Sequence, residues 1–222
     1  MSRTKLVRWS GLPALLAGVL FVAAALVHPV GEDIAAVTDP NWVPAHLLGL
    51  AFAMFWLLGL VGLYARQADR TGWLGLIGFV LALAGTAFVV GIQFMVSSTL
   101  PVVAAQAPGI FGQARTPPPH ALLLFALGFG LGNILFGIAI LRARVLPRWS
   151  GLLLSLGMLV FMFAEIGREA GPLPVAVSFV IGPAGQVLMS IGLIWMGAAL
   201  LLERRAPASE CTLAGECAPV HA

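Results

Sequence analysis

Apolar residues run almost unbroken over six stretches of the chain, at about 9–27, 43–64, 72–98, 121–141, 150–166 and 184–202, with polar or proline-rich residues collected between them. Each stretch approaches the ~20 residues that a helix rising ~1.5 Å per residue needs to cross a ~30 Å hydrocarbon layer. The runs lack the period-two alternation of a lipid-facing barrel strand, and lipid offers no partner for open backbone amides, so helix is the predicted state. The expected fold is all-α: a polytopic membrane protein with six transmembrane helices in a single domain over 1–205, followed by a disordered cytoplasmic tail over 206–222.

The stretches also repeat in pairs. Arg8-Trp9-Ser10-Gly11 opens the first, Arg70-Thr71-Gly72-Trp73 the third and Arg148-Trp149-Ser150-Gly151 the fifth, while the returning runs end near Arg66, Arg142 and Arg204. Pro44-Ala45-His46-Leu47 and Pro118-Pro119-His120-Ala121 open the second and fourth runs, and Pro183-Ala184-Gly185-Gln186 the sixth. Three pseudo-repeated helical hairpins are therefore expected, with short inner connections near 65–71 and 142–149. The outer connections are longer. Residues 99–119 carry Pro101, Pro108 and Pro117-Pro118-Pro119, which cannot continue a helix, so this stretch is either an ordered cap or a mobile lid. Residues 174–202 exceed one perpendicular crossing, and Gly182-Pro183 suggests a kink or a short separate outer segment. Within the fourth run, Gly128-x-x-x-Gly132 fits close intramolecular helix packing, and Asn133 fits an interhelical hydrogen bond.

Composition then excludes water as the main solvent: 60% of residues are apolar and only 9% charged, with a mean hydropathy of +1.00. The net charge of +3 does not indicate nucleic acid. Ten of the twelve cations fall on one side of a six-span chain, which leaves only Arg115 and Arg168 on the other. By the positive-inside rule both termini are cytoplasmic and the protein is a multi-pass protein of the cell (inner) membrane, in keeping with an Ala-, Gly- and Arg-rich composition that resembles bacterial membrane proteins. The basic start and the small residues at Ala23 to Ala25 also suit a cleaved signal peptide, but the first run is long enough to span and matches the third and fifth. Cys211 and Cys217, with His221, lack zinc-module spacing and are read as part of the tail.

Candidate chemistry gathers at the outer ends of the runs. His28, His46 and His120 all sit there, joined at similar depth by Gln93, Glu165 and Gln186. A carboxylate in an apolar span needs a partner, and Arg168, one turn after Glu165, is the nearest in sequence. These six residues are expected to line one outward-facing polar pocket beneath the long loops. Three functions remain open. The first is a non-enzymatic membrane protein, either a subunit of a larger complex or a binder of a lipid or small apolar molecule. The second is a haem- or metal-binding protein using His28, His46 or His120. The third is an enzyme or transporter with Glu165 and a histidine as acid and base. Phosphate-binding glycine loops, zinc-protease and serine-hydrolase motifs are absent from the sequence, which places the non-enzymatic reading first.

Overall fold

The computed structural model describes residues 3–169, 171 and 173–202, and the expectation for the tail, including Cys211, Cys217 and His221, lies outside the described residues. The described chain is helical without strands, and five helices are long and apolar enough to cross a membrane: Lys5–Val27, Trp42–Gln106, Pro119–Ala143, Arg148–Glu169 and Val175–Leu202. In chain order the elements are α1 (Arg3–Trp9), α2 (Gly11–Val27), α3 (Ile34–Val37), α4 (Trp42–Ser98), α5 (Leu100–Gln106), a 3-10 turn (Pro108–Ile110), α6 (Phe111–Arg115), α7 (Pro119–Leu124), a π-helical segment (Phe125–Leu131), α8 (Gly132–Ala143), α9 (Arg148–Glu169) and α10 (Val175–Leu202).

The second and third apolar runs differ from expectation, for they form one helical element of 57 residues with no loop at 65–71. A straight helix of that length would reach about 85 Å, far beyond a bilayer. It does not stay straight. Gly72, at φ 56° and ψ −155°, adopts a backbone conformation open in practice only to glycine, and the chain reverses there. Three contacts establish the reversal: Tyr64 stacks on Phe79 with ring centroids 4.3 Å apart, Gly49 meets the side chain of Gln93, and the Trp42 indole donates to the Val96 carbonyl at 3.1 Å. A one-residue turn leaves no room for the predicted loop.

α2 packs on α4 and α10, α4 on α8, α8 on α9 and α9 on α10, so the long helices close into a ring in chain order. At the seam between first and last, Gly18 lies directly against Ile194 and the Ser190 carbonyl. Large side chains fill the interior, among them Phe52, Trp56, Phe136, Met158, Met189 and Leu193. Val19, Leu58, Val80, Leu159 and Ile191 point outward and stay exposed, the arrangement lipid tails accommodate. Gly128 and Gly132 pack within the chain, against Gly85 and Ala82 of α4, where backbones touch. Asn133 ties the same two helices together: its carbonyl accepts from the Trp56 indole at 3.0 Å and its amide donates to the Phe129 carbonyl at 2.7 Å.

The outer connections fold into an ordered cap. Ala36, Val37, Trp42, Leu100, Ala104 and Phe111 form a second buried apolar cluster, and the Asp33 carboxylate caps α3 by accepting from the Ala36 amide at 2.9 Å. Proline stops α4 from continuing unbroken, yet short helices resume between the prolines. At the other expected interruption, α10 runs continuously through Pro183, with no separate outer segment. Its 28 residues span about 42 Å, longer than a ~30 Å hydrocarbon layer.

Candidate functional site

Beneath the cap lies a cavity of about 620 Å³, in the size range of small-molecule sites. Its floor is aromatic. Phe21 and Phe52 stack with centroids 4.0 Å apart, and Phe161 and Phe129 meet them edge-on at 5.8 and 6.4 Å. Phe125 and Phe129 come from the π-helical segment, whose wider turn re-aims side chains relative to a regular helix and recurs at functional sites.

One wall is an aromatic cluster at the junction of α2 and α4. His28 follows the last turn of α2, and Trp42 and His46 sit one turn apart on α4. The ring centroids of His28 and His46 are 4.9 Å apart, and those of Trp42 and His46 are 4.3 Å apart. Each imidazole donates Nδ1–H to a carbonyl, His28 to Pro29 at 2.7 Å and His46 to Trp42 at 2.9 Å, which leaves each Nε2 as an acceptor. Gln93 also lines the cavity, and it fits only because residue 49 is glycine: a Cβ there would fall 1.9 Å from the Gln93 amide nitrogen. Gln186 completes the polar wall from α10.

The roof is ionic. Arg168 contacts three carboxylates, with Nη2 on Glu165 at 2.6 Å and Nη1 on Glu169 at 3.1 Å and on Glu32. Arg115 of α6 meets the same Glu32 at 2.6 Å and Glu169 at 3.7 Å. The network joins the loop before α3, the cap helix α6 and the end of α9, so the cap is held down by charge as well as by its apolar cluster. Two guanidiniums face three carboxylates, and every one is paired.

Five of the six residues singled out in the sequence border this cavity: His28, His46, Gln93, Glu165 and Gln186. His120 does not, and the expectation for it is corrected. Ala121, Leu122 and Phe125 face inward from α7 and its continuation, and at about 100° per residue His120 falls on the opposite, exposed face. Sequence reading missed Glu32, Arg115 and Glu169. The signal was present in Arg115 and Arg168, the two cations left on the outer side, which called for carboxylates at the same depth.

The geometry bears on the other functional readings. Two imidazoles ligating a haem from opposite faces would hold their centroids roughly 6 Å apart, given metal–nitrogen distances of about 2.0–2.1 Å. His28 and His46 are closer than that and tilted by 58°. Among the described residues no group of three or more His, Cys, Asp or Glu is arranged to hold a metal ion. Glu165 is engaged by Arg168, the neighbour expected from sequence.

His28 lies just beyond the first span, and burial, partly opposed by its hydrogen bond to Pro29, holds its pKa below the usual 6.5. The neutral ring is then the native form. This contribution to stability is complete above about pH 6.5 and declines as the pH falls toward the lowered value, because the unfolded chain takes up the proton first. The apparent melting temperature in detergent should therefore drop between about pH 7 and pH 5, and His28→Gln should flatten that drop. Parallel pH profiles for the two proteins would show that His28 carries none of it.

Compared with known protein families, with curated proteins and with solved structures, the chain matches none.

Proposed function

We propose that this chain is a six-span inner-membrane protein, with both termini cytoplasmic, that binds a lipid or another small amphiphile in the cavity beneath its outer cap. The observation that carries the reading is the polarity of the cavity: an aromatic floor toward the bundle and hydrogen-bonding groups toward the cap. An apolar tail suits the floor, and a hydrogen-bonding head suits the Nε2 acceptors and the amides of Gln93 and Gln186. Both guanidiniums of the roof are already engaged by carboxylates, so the roof offers no cation to an anionic head, and the head is expected to be neutral. Among the described residues the hydroxyl of Ser178 is hydrogen-bonded to the Val175 carbonyl and Glu165 to Arg168, which favours binding over catalysis.

Six crossings are favoured by the reversal at Gly72, which divides α4 into two lengths that each suit one span. The three-hairpin repeat has support in two matched contacts. Gly11 meets Gly197 and Gly151 meets Gly137, so the starts of the first and fifth runs each lie against the close of a returning run.

The test uses purified full-length protein and a dansyl-labelled long-chain alcohol as probe. Gly182 lines the cavity and is buried, and an added Cβ there would meet only side-chain atoms, Ala164 Cβ and Glu165 Oε1 at 3.6 Å, so Gly182→Phe narrows the cavity without pushing on the backbone. We expect saturable dansyl enhancement in the native protein and at least about tenfold weaker binding in the variant, the loss that ~1.4 kcal/mol of contact would produce. Equal binding by both proteins would rule out this cavity as the site.

A further inference from the structure

The ring carries a second pocket at its other end, beside the reversal at Gly72. It encloses about 390 Å³ between the end of the first half of α4 and the turn after α8, and its polar lining is Arg66, Gln67, Asp69, Arg70 and Arg144. Gln67 is the telling residue. It is 1% exposed, and among the described residues neither its amide nitrogen nor its carbonyl oxygen has a hydrogen-bond partner. A buried amide left unpaired is costly and rare, so a group outside the chain is expected to satisfy it.

The surrounding charge identifies that group. Three guanidiniums line the pocket against one carboxylate, Asp69, and among the described residues those of Arg70 and Arg144 make no ion pair. Arg144 is held in the left-handed region at φ 54°, where it caps α8 and projects from the helix end. Guanidinium forks match phosphate oxygens, and the Gln67 amide adds a further donor. Its carbonyl still needs a donor of its own, which a hydroxyl on the same ligand supplies. We propose that this pocket binds a hydroxyl-bearing phosphate ester, with the phosphate on Arg70, Arg144 and the Gln67 Nε2, and the hydroxyl on the Gln67 Oε1. Asp69, at the exposed rim, would repel a dianion, which favours the singly charged phosphodiester.

Two sources share that chemistry, a glycerol-type phospholipid headgroup and a free phosphate ester. Depth favours the lipid. Trp73 and Trp149 near the pocket are 78% and 50% exposed, as aromatic side chains at the headgroup layer are.

The experiment retains the full chain in nanodiscs of phosphatidylcholine doped with phosphatidylglycerol. Native mass spectrometry then counts the phosphatidylglycerol molecules that stay bound, in competition with added glycerophosphoglycerol, the deacylated phosphodiester of the same headgroup, or inorganic phosphate. A selective excess of phosphatidylglycerol is expected. Arg70→Gln and Arg144→Gln should each reduce it about fivefold, as befits one cation at a lipid surface, with Arg144→Lys keeping part of it. Gln67→Leu should also reduce it without lowering the melting temperature, since it removes an unpaired amide from the core. Displacement by glycerophosphoglycerol would assign the site to the soluble ester, and resistance to it would assign the site to the lipid. Arg70 and Arg144 are exposed, so these variants are expected to fold. Unchanged phosphatidylglycerol retention in them, or equal loss of both lipids, would overturn the proposal.

Discussion

Replacing Arg168 with methionine is expected to lower stability by about 3–5 kcal/mol, the cost of removing one partner from a buried charge cluster. The Arg168 side chain is 11% exposed and is the single cation touching Glu32, Glu165 and Glu169 together. Without it, three carboxylates share a low-dielectric roof with only the more exposed Arg115 to oppose them. For a chain of this length the apparent melting temperature should fall by on the order of 10 °C. Arg115→Met is the comparison: at 32% side-chain exposure its pairs are screened by water, and its loss should be worth no more than about 1 kcal/mol. Arg168→Lys should fall between, because a single ammonium cannot reproduce a fork whose two nitrogens serve different carboxylates. Removing Glu165 or Glu32 alongside Arg168 should recover part of the loss, since the repulsion goes with them. Similar melting temperatures for the Arg168→Met and Arg115→Met proteins would mean that the roof is solvated and holds nothing down.

Gly85→Ala is expected to destabilise the protein although alanine is the better helix former. A Cβ at this position would sit 1.9 Å from the Phe129 amide nitrogen and 2.1 Å from the Gly128 carbonyl carbon. Both obstacles are backbone, so no rotamer change relieves them and α4 must move away from the π-helical segment. Overpacking of this kind typically costs about 1–3 kcal/mol, and the longer Gly85→Leu should prevent a monodisperse fold. The same change at Gly91, where the added Cβ meets nothing within 4 Å, should instead stabilise by about 0.5–1 kcal/mol through helix propensity. Opposite signs for one chemical substitution on one helix isolate the close approach as the cause. A gain at both positions in thermal melts would show that these helices are loosely packed.

How much of this was legible beforehand depended on whether the property lay in composition or in rotation. Apolar runs and their lengths follow from solvent alone, so the helical, membrane-spanning character could be read directly. The depth of His28, His46, Gln93, Glu165 and Gln186 was readable too, because polar side chains retreat to the ends of apolar runs. Rotation about each helix was not, and His120 shows why: it matches His46 in sequence but faces the opposite way from its cavity-lining neighbours. The one-residue reversal at Gly72 was also hidden, since arginines on both sides marked a boundary without showing that the helix would continue up to it. Which carboxylates would answer Arg115 and Arg168 was hidden as well, because Glu32 and Arg115 reach the end of α9 only through the tertiary fold of the cap.

The closed ring has a consequence for how the protein is made. Gly18 and Ile194, which meet at its seam, are 176 residues apart in the chain. At synthesis rates of about 5–20 residues per second, the first span waits roughly 10–35 s for its last neighbour. During that interval the face of α2 that will meet α10, with its glycines, lies open to lipid or to whatever assists insertion. Interruption after α9 would leave a bundle with two unsatisfied edges and a cavity lacking the wall that carries Gln186. Because the first and last long helices are neighbours, a linker joining α1 to α10 and a new opening in the short connection before Arg148 would move that waiting period to another interface without altering the finished ring.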